Sequence, residues 1–210
     1  MKNNEIHNLL NKLSVKDKIY QLIQLSGQFY QQDDELVTGP QQKLGIAAEA
    51  IKNAGSVLNI RGAQELINLQ KRNLENSEHA IPMLFMADII NGYETIFPIP
   101  LGLGATWNPG LVKEAAAVSA HEAAVSGMHI TFSPMVDLVR DPRWGRVMES
   151  TGEDSFLNSL FAQAFVEGYQ GDMDPDKNIV ACVKHFAGYG APEGGREYNT
   201  VDMSERTFRE

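Results

Sequence analysis

A single cysteine, Cys182, stands in 210 residues, which excludes an internal disulfide. Its neighbours Val180, Ala181 and Val183 give it the surroundings of a buried strand thiol. No stretch reaches the roughly 18 consecutive apolar residues of a membrane span. The opening, MKNNEIHNLLNKLSVKDK, is polar and periodic and lacks the continuous apolar core of a secretion signal. A cytoplasmic setting is expected on those grounds. No run of Lys and Arg occurs and the net charge is -9. That balance argues against nucleic acid and against an anionic membrane surface as partners. Low-complexity tracts and repeats of fixed period are missing as well. With 43% apolar and 21% charged residues, the composition is that of a folded globular chain.

Several motifs are broken or missing. His121-Glu122 opens like a zinc-binding H-E-x-x-H, but Val125 stands where the second His is required and His129 is too far along. No metal is expected. Gly102-Leu103-Gly104 imitates a dinucleotide turn without its third glycine or a clean strand before it. A phosphate loop and a G-x-S-x-G elbow are both lacking. No cofactor is expected.

Leu9, Leu10 and Leu13 make one apolar stripe. Ser14 to Asp17 reads as a capping box that opens a second amphipathic helix through Ile19, Leu22 and Ile23. Residues 26–44, rich in Gln, Asp and Gly, read as a loop, and 46–53 as a short helix ended by Gly55. From there a unit recurs. Apolar runs at 56–60, 82–87, 129–133 and 179–183 alternate with helical stretches at 63–75, 108–126 and 154–165. Asn108-Pro109 and Asp154 supply helix starts, and Gly127 a stop. Apolar strands alternating with helices mean parallel βα units. A closed eight-stranded barrel takes about 250 residues, so about four units here make half of one. Residues 203–210 read as the opening of a further helix.

Functional side chains of parallel α/β folds gather beyond the carboxyl ends of the strands. Asp88 ends the second run. After the third come Asp137, Arg140 and the dense stretch DPRWGRVMESTGED (141–154), and Lys184 and His185 end the fourth. Carboxylates accept from hydroxyls while Arg and Lys donate charge-assisted bonds, so the set suits a small polyhydroxylated ligand. Other roles fit the same residues. Asp88 can be a turn residue, His185 a satisfied strand-end histidine, and 141–154 a salt-bridged loop, with Arg143 structural and Arg146 facing a ligand. Trp107 and Trp144 suit either sugar stacking or packing.

Three segments, IFPIPLGLGATWNP (96–109), SPMVDLVRDPRWGRVMESTGED (133–154) and KHFAGYGAPEGGREYN (184–199), resemble the N-terminal barrel of glycoside hydrolase family 3 β-glucosidases. The resemblance covers nearly the whole chain, loosely before residue 54. It implies a (β/α)8 TIM-barrel-like fold, present as its N-terminal portion. Residues 1–53 would form a helical and loop lead-in, and 54–210 the first part of the barrel. It also implies a retaining, exo-acting enzyme that removes terminal β-D-glucosyl residues with two carboxyl groups about 5–5.5 Å apart. By the resemblance Asp88, Arg146, Lys184 and His185 bind the sugar, while Glu149 and Arg143 support them from behind. The Lys184-His185 pair would donate to ring hydroxyls. The segment after Lys184 lacks the D-x-H pattern of N-acetylglucosaminidases, which favours the glucosidase branch, with β-xylosides the alternative substrate. Asn91 departs from the His that many relatives carry near Asp88. The family's Ser-Asp-Trp-like nucleophile segment does not occur, and its acid/base Glu belongs to a second domain. No catalytic residue is therefore expected within 1–210. The expected chain is the inactive, sugar-binding half of a β-glucosidase, a non-catalytic sugar-binding module, or a half-enzyme completed by a C-terminal domain or partner chain. Nothing in the sequence fixes an oligomeric state. A nucleotide-binding domain has only Gly102 and Gly104 in its favour.

Overall fold

The computed structural model describes residues 3–30 and 45–209. They form two compact units, Met1–Ala87 and Asp88–Glu210.

The first unit runs α1 (Asn3–Lys12), α2 (Val15–Tyr20), β1 (Gln24–Ser26), α3 (Ala48–Asn53), β2 (Ser56–Leu58), α4 (Ala63–Asn76) and β3 (Leu84–Ala87). β2 pairs in parallel with β1 on one side and β3 on the other. The capping box forms as the sequence implies: the Asp17 N–H donates to Ser14 Oγ at 3.1 Å, and Asp17 Oδ2 accepts from the Ser14 N–H at 2.9 Å. The apolar stripe of α4 buries Leu66 and Leu69, and the strands bury Leu25, Val57 and Phe85. Asn73, on the same stripe, is satisfied by donating to the Ile81 carbonyl at 2.8 Å.

The second amphipathic helix is shorter than its periodicity implies. It ends at Tyr20, Leu22 is exposed, and residues 24–26 form a strand instead. Gly55 and Ser56 donate their N–H groups to the carbonyls of Tyr20 and Ile23 at 3.0 and 3.2 Å. Those bonds draw the backbone after Tyr20 into the β2 ladder. Gly27–Phe29 form a single 3-10 turn. Most of the expected loop, from 31 to 44, lies outside the described residues.

The second unit runs α5 (Pro100–Gly104), α6 (Pro109–Val125), β4 (Ile130–Thr131), α7 (Ser155–Gln170), β5 (Val180–Ala181) and α8 (Glu205–Arg209). β4 and β5 pair in parallel. Asn108 caps α6 by accepting from the Gly110 N–H at 3.0 Å, and Asp154 caps α7 by accepting from the Leu157 N–H at 2.7 Å. α6 and α7 pack together, α6 through Val112, Ala116 and Ala120 and α7 through Phe161, Phe165 and Tyr169. Small residues on one helix against large ones on the other let the two interdigitate. Among the described residues no helix is long and apolar enough to cross a membrane.

Cys182 is exposed, contrary to the sequence reading. β5 ends at Ala181 and, among the described residues, no strand pairs with its outer side, so nothing covers the thiol.

Candidate functional site

The segments that follow β4 and β5 stay together after the strands end. Val136 donates to the Lys184 carbonyl at 2.7 Å, and Lys184 donates to the Pro134 carbonyl at 3.0 Å. The peptides Ser133–Pro134, Lys184–His185 and Phe186–Ala187 are cis. Because β5 has ended, Lys184 and His185 escape strict strand alternation and both face the same cluster. Asp88, the first residue after β3, is anchored through Ile89. The Ile89 N–H donates to Thr131 Oγ1 at 3.0 Å, and its carbonyl accepts from Tyr169 Oη at 2.7 Å. Tyr169 is 1% exposed, and burial pushes its hydroxyl up to about 12. Replacing Tyr169 by Phe strands the Ile89 carbonyl. The expected loss is about 1–2 kcal/mol of stability, read from a denaturant midpoint.

The 141–154 loop divides into an outer and an inner part. Asp141 and Arg143 form a local pair at 2.6 Å, with Arg143 71% exposed. The guanidinium holds the Asp141 carboxyl down at about 2. Arg143 thus braces the loop through Asp141, and no contact joins it directly to the cluster. Trp144 is 2% exposed. Its indole N–H donates to Glu197 Oε2 at 2.5 Å, and its ring meets Tyr189 edge-on at 5.2 Å. Of the two readings for Trp144, packing is the one realised. Trp107 is 75% exposed.

The inner part carries Arg146 and Glu149 around a 3-10 turn, Val147–Glu149. Arg146 grips Glu149 with two donors, Nε and Nη2, each at 2.7 Å. Lys184 Nζ lies 2.7 Å from Asp88 Oδ1 and 3.8 Å from Glu149 Oε2. Arg146 Nη1 is 3.4 Å from His185 Nε2, and His185 Nδ1 is 2.7 Å from Asp137 Oδ2. Asp88, Lys184, Glu149, Arg146, His185 and Asp137 therefore make one continuous chain of charged contacts. The Tyr189 ring closes it, with the Arg146 guanidinium at 5.5 Å and the His185 ring edge-on at 4.8 Å.

The two ends of the network differ in side-chain exposure, 2% at Asp137 against 43% at Asp88, with His185, Arg146, Glu149 and Lys184 between them partly exposed. The inner end is fixed and the outer end is open to a ligand. The Arg146 hydrogen bonds, and then the charges of Arg146 and Lys184, hold Glu149 below the usual carboxylate range. The same Glu149 contact raises Arg146. Both groups are thus ionised at neutral pH. Every carboxylate in the network is already bonded to a cation or a ring nitrogen, which suits holding hydroxyls better than attacking carbon.

Sequence reasoning misses two members of this site and gives a third, Asp137, no specific role. Tyr189 and Glu197 lie in the KHFAGYGAPEGGREYN segment but were not singled out, although Tyr189 Oη donates to Glu197 Oε1. Asp137 was noticed only as a loop carboxylate. Its position in the apolar run SPMVDLV was the available signal, since a buried carboxylate requires a partner. Asn91 closes its own loop, donating from Nδ2 to the Phe97 carbonyl at 3.2 Å. Glu122, from the broken zinc pattern, holds the 94–95 turn by accepting from the Thr95 hydroxyl at 2.6 Å and from the N–H groups of Glu94 and Thr95. Among the described residues no group of His, Cys, Asp and Glu could hold a metal ion.

Residues 14–210 match the glycosyl hydrolase family 3 N-terminal domain. The chain is 40% identical over 209 residues to a periplasmic beta-glucosidase of Salmonella typhimurium, covering 98% of this chain and 26% of that protein. A beta-xylosidase of Formosa agariphila is 39% identical over 123 residues, which is 57% of this chain and 17% of the relative. Among solved structures, a beta-glucosidase from Listeria innocua in complex with glucose superposes with a TM-score of 0.94 at 46% identity, covering all of this chain and 30% of that one. The chain thus spans less than a third of the length of these relatives. Its parallel α/β architecture corresponds to part of the barrel-like N-terminal domain of such enzymes.

Proposed function

Because the chain belongs to glycosyl hydrolase family 3, matching its N-terminal domain over residues 14–210, we propose that its charged network is the sugar-gripping half of a retaining, exo-acting β-D-glucosidase. The observation that carries this reading is the unbroken contact path from Asp88 through Lys184, Glu149 and Arg146 to His185. Asp88 has lone pairs for hydroxyl protons. Lys184 and Arg146 supply donors that a neutral pyranose accepts in charge-assisted bonds. The surrounding carboxylates keep both cations aimed when no sugar is bound.

Retaining hydrolysis passes through a covalent glycosyl-enzyme and needs a nucleophile and an acid/base carboxyl group. Neither is assigned within residues 1–210. Both are proposed to come from further parts of the enzyme or from a partner chain, and residues 1–210 alone are expected to turn over no aryl β-glucoside. A non-catalytic sugar-binding module would share the same grip. The Formosa beta-xylosidase supports β-xylosides as a second substrate class.

Calorimetric titration of the 210-residue chain tests the reading. Saturable glucose binding is expected. Asp88→Asn is expected to weaken it by about 10–100-fold, the worth of one charge-assisted hydrogen bond. Equal glucose affinity for the parent and the variant would overturn the assignment, and xylose binding as tight as glucose binding would favour the xyloside reading.

A further inference from the structure

We propose that Asp137 is a positioning residue that holds His185 as the neutral Nδ1–H tautomer, so that Nε2 meets a bound hydroxyl as an acceptor and not as a donor. The assignment of the tautomer stands on geometry alone. The acceptor role toward a sugar rests on the glycosidase reading above.

Asp137 Oδ2 lies 2.7 Å from His185 Nδ1 and also accepts the His185 backbone N–H at 3.1 Å. One oxygen thus pins the residue at two points, which fixes the ring plane as well as the side of the ring that carries the proton. The carboxylate is itself buried. Its side chain is 2% exposed, and the Asp137 carbonyl accepts from Ser150 Oγ at 2.7 Å. Which ring nitrogen of a histidine bears the proton is set by the bond the other side makes. A carboxylate at hydrogen-bond distance demands N–H at Nδ1.

The opposite nitrogen gives the second, independent constraint. Nε2 lies 3.4 Å from Arg146 Nη1. Guanidinium nitrogens donate and never accept. A proton on Nε2 would set two donors face to face, and an imidazolium would add a third cation beside Arg146 and Lys184. A lone pair at Nε2 satisfies the contact. The Tyr189 ring packs edge-on against the imidazole, with the ring centroids 4.8 Å apart.

The consequence reverses the role the family resemblance gave His185. Lys184 and Arg146 donate, and His185 accepts. A hydroxyl that displaces Arg146 Nη1 from the Nε2 lone pair donates its one hydrogen bond to Nε2 and accepts one from a cation on its own oxygen. The site then selects for a hydroxyl: an ether or keto oxygen at that position offers Nε2 nothing.

Long-range proton–nitrogen NMR of the 15N-labelled chain at neutral pH tests this, with the His185 signals assigned by their loss in His185→Gln. The expected pattern is a protonated-type shift at Nδ1 and an unprotonated-type shift at Nε2, measured without any variant of Asp137. Asp137→Ala removes one of the two constraints, leaving Arg146, and is expected to raise the share of the Nε2–H form while the other histidine signals stay in place. Protonation of Nε2 in the parent chain, or an unchanged tautomer in Asp137→Ala, overturns the proposal. Added glucose is expected to shift Nε2 and leave it unprotonated. A fixed Nδ1–H tautomer with an Nε2 indifferent to glucose would uphold the positioning by Asp137 and overturn the sugar-acceptor role.

Discussion

Arg146→Ala is expected to lower folding stability by about 2–3 kcal/mol and to abolish measurable glucose binding. The variant leaves Glu149 with Lys184 as its nearest cation, at 3.8 Å and outside hydrogen-bond distance. Removing one partner of a fully buried pair costs roughly 3–5 kcal/mol. The figure here is smaller because Arg146 and Glu149 retain 23% and 19% of their side-chain exposure. Loss of the guanidinium also uncovers the Tyr189 face and leaves His185 Nε2 without its neighbour. Arg146→Lys is not expected to restore either property, since an ammonium cannot reproduce the two-pronged contact. A pH dependence accompanies the loss. Glu149 titrates lower in the folded chain than in the unfolded one, chiefly through the Arg146 hydrogen bonds. Its contribution to stability is therefore present above the ordinary glutamate range and vanishes as pH falls through its lowered folded value. Arg146→Ala should flatten that acid limb. Denaturant midpoints of the two proteins across the acid range provide the measurement, and parallel curves would refute the coupling.

Gly190→Ala is the second large effect. A methyl group at position 190 would sit 2.1 Å from the Leu138 carbonyl oxygen and 2.9 Å from its carbon, with Asp137 Cβ at 3.3 Å. Those neighbours are mostly backbone and cannot swing aside. The two segments are also tied there, with Arg140 donating to the Gly190 carbonyl at 3.1 Å. The substitution must push the 137–140 segment away from the 190 turn. Overpacking of this kind costs roughly 1–3 kcal/mol, and the same displacement carries Asp137 away from His185. Gly145→Ala is the matched control, because nothing lies within 4 Å of a methyl group there. A Gly190→Ala chain that unfolds at the Gly145→Ala midpoint would contradict the close approach.

Much of the scaffold was legible because it rests on local signals. Asn108-Pro109, Asp154 and Ser14 announce helix starts whose hydrogen bonds close within three residues, and all three form. The strands at 56–58 and 84–87 follow from apolar runs. β1 escapes the sequence reading because a three-residue strand follows closely on a helical stripe, and only the non-local bonds that Tyr20 and Ile23 just before it accept from Gly55 and Ser56 separate the two. Cys182 was placed wrongly because an apolar run does not reveal where its strand stops or whether another strand covers it. Within the network, strand-end position alone brought forward Asp88, Lys184 and His185. The sequence offers Arg143 as structural and Arg146 as facing a ligand without showing what enforces the difference; the turn at 147–149 does so by setting Arg146 on Glu149. Asp137 joins His185 across 48 residues of sequence, and Trp144 joins Glu197 across 53, so neither pairing leaves a local pattern to read.

The central claim is that Asp88, Arg146, Lys184 and His185 hold one pyranose together. A crystal structure of the 210-residue chain grown with glucose tests it most directly. A single sugar ring is expected with hydroxyls at hydrogen-bond distance from the Asp88 carboxylate, Lys184 Nζ and His185 Nε2, and with the Arg146–Glu149 pair intact beside it. Glucose bound elsewhere, or density in the cluster with the Lys184–Asp88 contact unchanged and no hydroxyl on either group, would contradict it.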